Sequence, residues 1–226
     1  MNSSLSLSTR AKLFSGFGLI IIAVIFMMVL TLISFKNIKN AQTEMIRSFE
    51  ITQRLTELRS DENRQMLTML QITISKDQYR ANALKKVLSE KAKLIAVKRN
   101  ELKQELQPFP DEVTRFSEIE AQVKLYIENR EKRLALNDAG KMEESLIMAS
   151  EVEAPLYENI RAMILAMEKD FNDMSVAQKV KTESLTALAN VVILVGGFGM
   201  ILLSVILIIW MIGMLRKISK EIRNGV

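Results

Sequence analysis

Two runs without a charged side chain, Leu13–Phe35 and Ser184–Leu215, constrain this chain more than anything else in it. The first is bounded by Lys12 and Lys36, and as one helix at about 1.5 Å per residue it covers a hydrocarbon core of about 30 Å. The second has Trp210 near its end, where an indole suits the headgroup level, and Arg216 and Lys217 directly after it. A cleaved leader is the rival reading of the first run, but its apolar part would be shorter and no small-residue cleavage site precedes Lys36. Gly196, Gly197 and Gly199 form no G-x-x-x-G pair and mark only a thin place on the second span.

A net charge of +5 raises the question of nucleic acid, and its location answers it. Six of the 31 Lys and Arg and one of the 26 acids lie outside the stretch from Lys36 to Glu183, which is therefore electrically balanced. The excess belongs to the short ends, as the positive-inside rule requires of two cytoplasmic termini, and no nucleic-acid partner is expected. The chain divides into a cytoplasmic N-terminus (1–12), a first transmembrane helix (13–35), an extracytoplasmic domain (36–184), a second transmembrane helix (185–215) and a cytoplasmic helical start (216–226). Such a chain belongs in a membrane in contact with lipid, its large domain in the periplasm or outside.

With no Cys and no His, the external domain is held by packing alone, and the commonest general base and metal ligand are missing. No glycine-rich phosphate loop is present, and the carboxylates are spread along helix exteriors. Neither an enzyme, a cofactor nor a metal site is expected. The 14 Met read as filler at core and span positions.

Only 8 Gly and 3 Pro interrupt the chain, so long helices follow. After the first span, Ile38, Ala41, Met45, Ile51, Leu55, Leu58, Met69 and Ile72 step by three or four with a slip at Ser48, which predicts a helix continuous with the span. Ser75-Lys76-Asp77-Gln78 reads as a capping box opening a second helix near Lys76 that runs to about Leu106. Pro108 and Pro110 stop it, and Asp111-Glu112 place negative charge at the start of a third helix ending near Leu136. Asn137-Asp138-Ala139-Gly140 is a turn, after which Leu146, Leu156, Ile160, Met163, Met167 and Phe171 keep helical spacing toward the second span. Pro155 interrupts this fourth helix, and a kink is favoured over a separate short helix at 141–153. The pairs Asp111/Arg115, Glu120/Lys124 and Glu128/Lys132 are spaced to close along one helix. The predicted fold is all-α: two transmembrane helices flanking an antiparallel up-down-up-down four-helix bundle, helices one and four continuous with the spans.

The stripe of helix one is broken by Arg59-Ser60-Asp61-Glu62-Asn63-Arg64-Gln65, where Glu62 and Gln65 face neighbouring helices. Buried polar groups need partners, so this segment either lines a hydrated subunit seam or bows the helix outward. Arg59 and Arg64, with Glu62 beside them, are the candidate ligand contacts, since two arginines on a bundle surface can clamp a small carboxylate.

The pattern resembles the four-helix-bundle ligand-binding region of bacterial methyl-accepting chemotaxis receptors, shared with some sensor histidine kinases. The resemblance rests on the Arg10-Ala11-Lys12 start and span, on Glu57-Leu58-Arg59-Ser60, on Ala139-Gly140-Lys141-Met142-Glu143-Glu144, and on Glu153-Ala154-Pro155-Leu156. It implies a homodimer that binds a small molecule or a periplasmic binding protein at the helix-one seam. A shift of helix four would carry the signal through the second span. A chemotaxis histidine kinase and its coupling protein would be reached only through a cytoplasmic region beyond Val226. Leu215, Ile218 and Ile222 continue a helical stripe as a HAMP linker would, without the proline common early in that linker. A two-pass scaffold or assembly protein is the alternative.

Overall fold

The computed structural model describes the chain from Thr9 to Asn224. Its helices are α1 (Thr9–Ile74), α2 (Gln78–Glu105), α3 (Pro110–Asp138) and α4 (Met142–Met148), the last passing through a π turn, Ala149–Glu153, into α5 (Ala154–Asn224). Glu44–Ala177 forms one compact unit, and the segments on either side of it form the other.

The Glu44–Ala177 unit is the antiparallel four-helix bundle that the spacing of apolar residues predicts. Its main core takes Ile51, Leu55 and Leu58 from α1, Ile95 and Leu102 from α2, Phe116, Ile119 and Val123 from α3, and Ile160, Ile164 and Phe171 from α5. A smaller cluster, Met69 and Ile72 with Leu88, fills the end nearest the α1–α2 turn. The slip at Ser48 proves to be a serine in a core position, almost fully buried. On the opposite side of α1, Ile46, Phe49, Gln53, Thr56, Ser60, Asn63, Leu67, Leu70 and Ile74 again alternate by three and four, and all are exposed and uncharged.

The turns depart from expectation in detail. No capping box forms: Ser75 Oγ donates to the Asp77 carbonyl, and Asp77 itself is the N-cap, its carboxylate accepting from Tyr79 N–H at 2.9 Å. Asp is among the best N-caps and lies two residues nearer the helix, so α2 begins at Gln78 rather than Lys76. α3 begins with Pro110 in its first turn beside Asp111 and Glu112, as expected. It ends at Asp138 in a Schellman motif, with Gly140 at φ +70, its N–H donating to Asn137 O and Lys141 N–H donating to Leu136 O.

Pro155 lies in the first turn of α5, and no break separates it from the helix before it. The preceding π turn takes up the constraint, with Ala154 N–H donating five residues back to Ala149 O. The three intrahelical pairs do not close among the described residues. Arg115 instead binds Glu112 and reaches Asp170 of α5 at 2.7 Å, and Glu120 pairs with Lys103 of α2, so these charges tie helices together.

In the other unit, α1 and α5 each carry a segment long and apolar enough to cross a membrane. Thr31 and Ser204 donate their hydroxyls to carbonyls one turn back, at 2.8 Å each, which satisfies polar groups within apolar stretches. At Gly196 an added Cβ would meet the end of the Met27 side chain, which is flexible enough to move aside.

Candidate functional site

Between the two apolar clusters the buried positions of α1 and α3 turn polar, and polar residues of the last helix and of α2 join them. On α1 the buried positions run Ile51, Leu55, Leu58, Glu62, Gln65, Met69, Ile72, and on α3 they run Phe116, Ile119, Val123, Tyr126, Arg130, Arg133. On the last helix Glu153 takes the place one turn before Tyr157 in the stripe that continues through Ile160 and Ile164. Arg99 of α2 follows Ile95 and precedes Leu102 in the same way. Helical periodicity therefore aims all of these charges at one level of the interior.

Their pairing is specific. Arg133, 1% exposed, donates from Nη1 to Glu153 Oε2 at 2.7 Å and from Nη2 to Thr73 Oγ1 at 2.8 Å. Arg99 Nη1 donates to Glu62 Oε1 at 3.2 Å, and Arg130 donates to the neutral Gln65. Tyr157 OH donates to Asn63 Oδ1 at 3.1 Å. Burial pushes the Glu153 and Glu62 carboxyls above the ordinary glutamate range, against the pull of Arg133 and Arg99 respectively. Burial likewise raises the Tyr126 phenol, so it stays protonated.

Several polar atoms here have no partner among the described residues: Tyr126 OH, Arg130 Nε, Arg133 Nε and Glu153 Oε1. Three of these four side chains border a cavity of about 280 Å³, walled by Met66 and Leu70 of α1, Tyr126 and Arg133 of α3, and Leu146, Ala149, Ser150, Glu153 and Ala154 around the π turn. The π turn positions Glu153 opposite Arg133 and leaves small residues along the cavity wall.

Residues 6–186 match the four-helix-bundle sensory module for signal transduction, a module of chemotaxis receptors. The chain belongs to this family. No curated protein and no solved structure matches it significantly. The matched segment of the sensory module includes the first apolar run, the whole bundle and the start of the second run.

The three residues singled out from the sequence of this sensory module do not converge. Arg59 grips Glu168 of α5 with two hydrogen bonds, at 2.8 and 3.3 Å, and the carboxylate raises its pKa further. Glu62 is buried against Arg99, and Arg64 is exposed with no ion pair among the described residues. Gln65 and Glu62 do face neighbouring helices, but within the bundle. Arg99, Arg130, Arg133, Tyr126 and Glu153 escape a search for apolar stripes because they are polar; their three-and-four spacing was the available signal.

Proposed function

We propose that this sensory module is a non-catalytic transmembrane input domain that binds a stimulus outside the cytoplasm and passes it inward along α5. The observation that carries the reading is continuity: α1 and α5 run without a break from the bundle into segments apolar enough to span a bilayer. A rigid helix transmits a small displacement of its outer end to its inner end, and a ligand that binds one of two bundle packings more tightly shifts their balance. Both spans then cross the bacterial inner membrane, with Glu44–Ala177 in the periplasm and both ends in the cytoplasm.

A second copy of the chain completes the module. The exposed, uncharged heptad stripe of α1 is self-complementary about a two-fold axis, and nothing along it opposes like charges. In this reading Arg59 and Arg64 flank the seam while Glu62 faces the bundle interior, and ligand contact through Arg59 requires it to exchange Glu168 for the ligand's carboxylate. The inward partners are a chemotaxis histidine kinase and its coupling protein, and a periplasmic binding protein is the alternative stimulus.

The test fuses the chain, in helical register, to the kinase-controlling cytoplasmic part of a chemotaxis receptor and reads phosphotransfer in membrane vesicles during a screen of organic acids, amino acids and binding proteins. A stimulus should change kinase output, and four glycines inserted after Ala177 should abolish the change while binding persists. A scaffold without sensing gives constant output throughout. Protease added outside intact cells should spare tags on either end; cleavage of either one removes the proposed topology.

A further inference from the structure

We propose that the cavity beside the π turn, enclosed within one subunit by Tyr126, Arg133, Ala149 and Glu153, is a binding site for a small monocarboxylate with an apolar or aromatic body. The proposal rests on the sensory reading for its purpose but not for its chemistry.

The cavity's size, about 280 Å³, is near the lower end of small-molecule sites, which span about 300–1,000 Å³. Met66, Leu70, Leu146, Ala149 and Ala154 give it apolar walls, and Tyr126, Arg133 and Glu153 give it one polar end. Those three side chains are at most 3% exposed, and each keeps an unpartnered polar atom. Buried polar atoms are ordinarily satisfied, so the two open donors at the polar end of the cavity, Tyr126 OH and Arg133 Nε–H, indicate an acceptor group that belongs there. Leu70, Leu146 and Ser150 are exposed and form its mouth.

Charge selects the head group. Across the belt three guanidiniums, Arg99, Arg130 and Arg133, face two carboxylates, Glu62 and Glu153. Arg130 has only neutral Gln65 to accept from it, and its Nε has no partner among the described residues. One monoanion restores balance, whereas a cation adds to the excess and a neutral amide leaves it. The head group would take the open Nε–H of Arg133 and the Tyr126 hydroxyl, and the body would lie against the methionine and leucine walls. Such a ligand packs α1 and α3 against the segment that leads into α5.

Isothermal titration of the full chain in lipid nanodiscs, with empty discs subtracted, tests this with benzoate, benzamide and benzylammonium. Benzoate should bind saturably and at least tenfold more tightly than benzamide, and benzylammonium should not bind. Ala149→Leu and Ala154→Leu, which fill the cavity from two sides and leave its polar groups in place, should each weaken benzoate tenfold or more without loss of helical content. Tyr126→Phe should weaken it several-fold. Absence of saturable benzoate binding, equal affinity for benzamide, or full benzoate affinity in both filled variants that retain the wild-type circular dichroism overturns the site. Benzoate binding without any kinase response in the fusion leaves the site standing and removes the sensory reading; a response to other stimuli without benzoate binding does the reverse.

Discussion

Arg133 is an arginine at a core position, and it persists there because Glu153 and Thr73 take two of its nitrogens. Truncating one member of such a pair strands the other charge in the interior. Arg133→Ala should therefore cost about 3–5 kcal/mol in urea unfolding followed by circular dichroism, whereas the double variant Arg133→Met/Glu153→Met should lie within about 1 kcal/mol of wild type or above it. Exposed Arg64→Ala should stay within about 0.5 kcal/mol. Protons give a second readout. Burial holds Glu62 and Glu153 above the ordinary value of 4.5, so between that value and their folded one the folded chain binds more protons than the unfolded chain. Their contribution to stability is full below the ordinary value and is lost as pH rises through the folded value. Glu62→Gln should accordingly flatten the decline of the unfolding midpoint with rising pH across the window just above 4.5; an unchanged slope would contradict this. At this scale the sequence was half legible. The interruption at 59–65 was visible because it breaks an apolar stripe, whereas Arg130, Arg133 and Glu153 complete stripes that only their spacing reveals. Partners were not legible at all: which charge meets Arg59 depends on helix register across the bundle, which no single helix encodes.

The helices themselves were easier to read than their joints. Hydrophobic spacing sets each helix over several turns, so an error at one position is outvoted; a cap or a π turn depends on one or two residues. Asp77 displaces Ser75 as the N-cap by a local competition between two good caps, and Pro155 is accommodated by one residue's worth of extra backbone in the π turn before it. Gly140 was legible as a turn residue, and the structure supplies the reason, since φ +70 is a conformation that a side chain resists. Gly140→Ala should cost about 1–2 kcal/mol in the same unfolding experiment, with no clash to add, because nothing lies within 4 Å of the new methyl group. Pro155→Ala bears on the π turn. It restores an amide and removes the ring that crowds the carbonyl four residues back, so the pressure toward a widened turn falls. If that turn shapes the proposed cavity, benzoate affinity should drop several-fold in this variant while helical content holds or rises slightly.

For the molecule as a whole, α1 differs from the other bundle helices in carrying two stripes on opposite sides. The buried one builds the bundle. The exposed one, from Ile46 to Ile74, contains no charge in a chain where one residue in four is charged, and it keeps the alternation of three and four expected of a coiled seam. A face left to water gains nothing from excluding Lys and Glu at nine successive stripe positions, whereas a face repeated about a two-fold axis brings each residue near its own copy and penalises any charge. The chain lacks cysteine, so single substitutions report this without background. Ser60→Cys, Asn63→Cys and Leu67→Cys in native membranes should oxidise to covalent dimers several-fold faster than Glu128→Cys on α3, scored on non-reducing gels. Leu67→Glu, which places like charges at the seam, should slow cross-linking of the Ser60→Cys chain by a similar factor. Equal rates at all four positions would mean that copies meet only by collision. The signalling device would then have to be a single bundle, with the charged belt between α1, α3 and the π turn as its only source of a second packing.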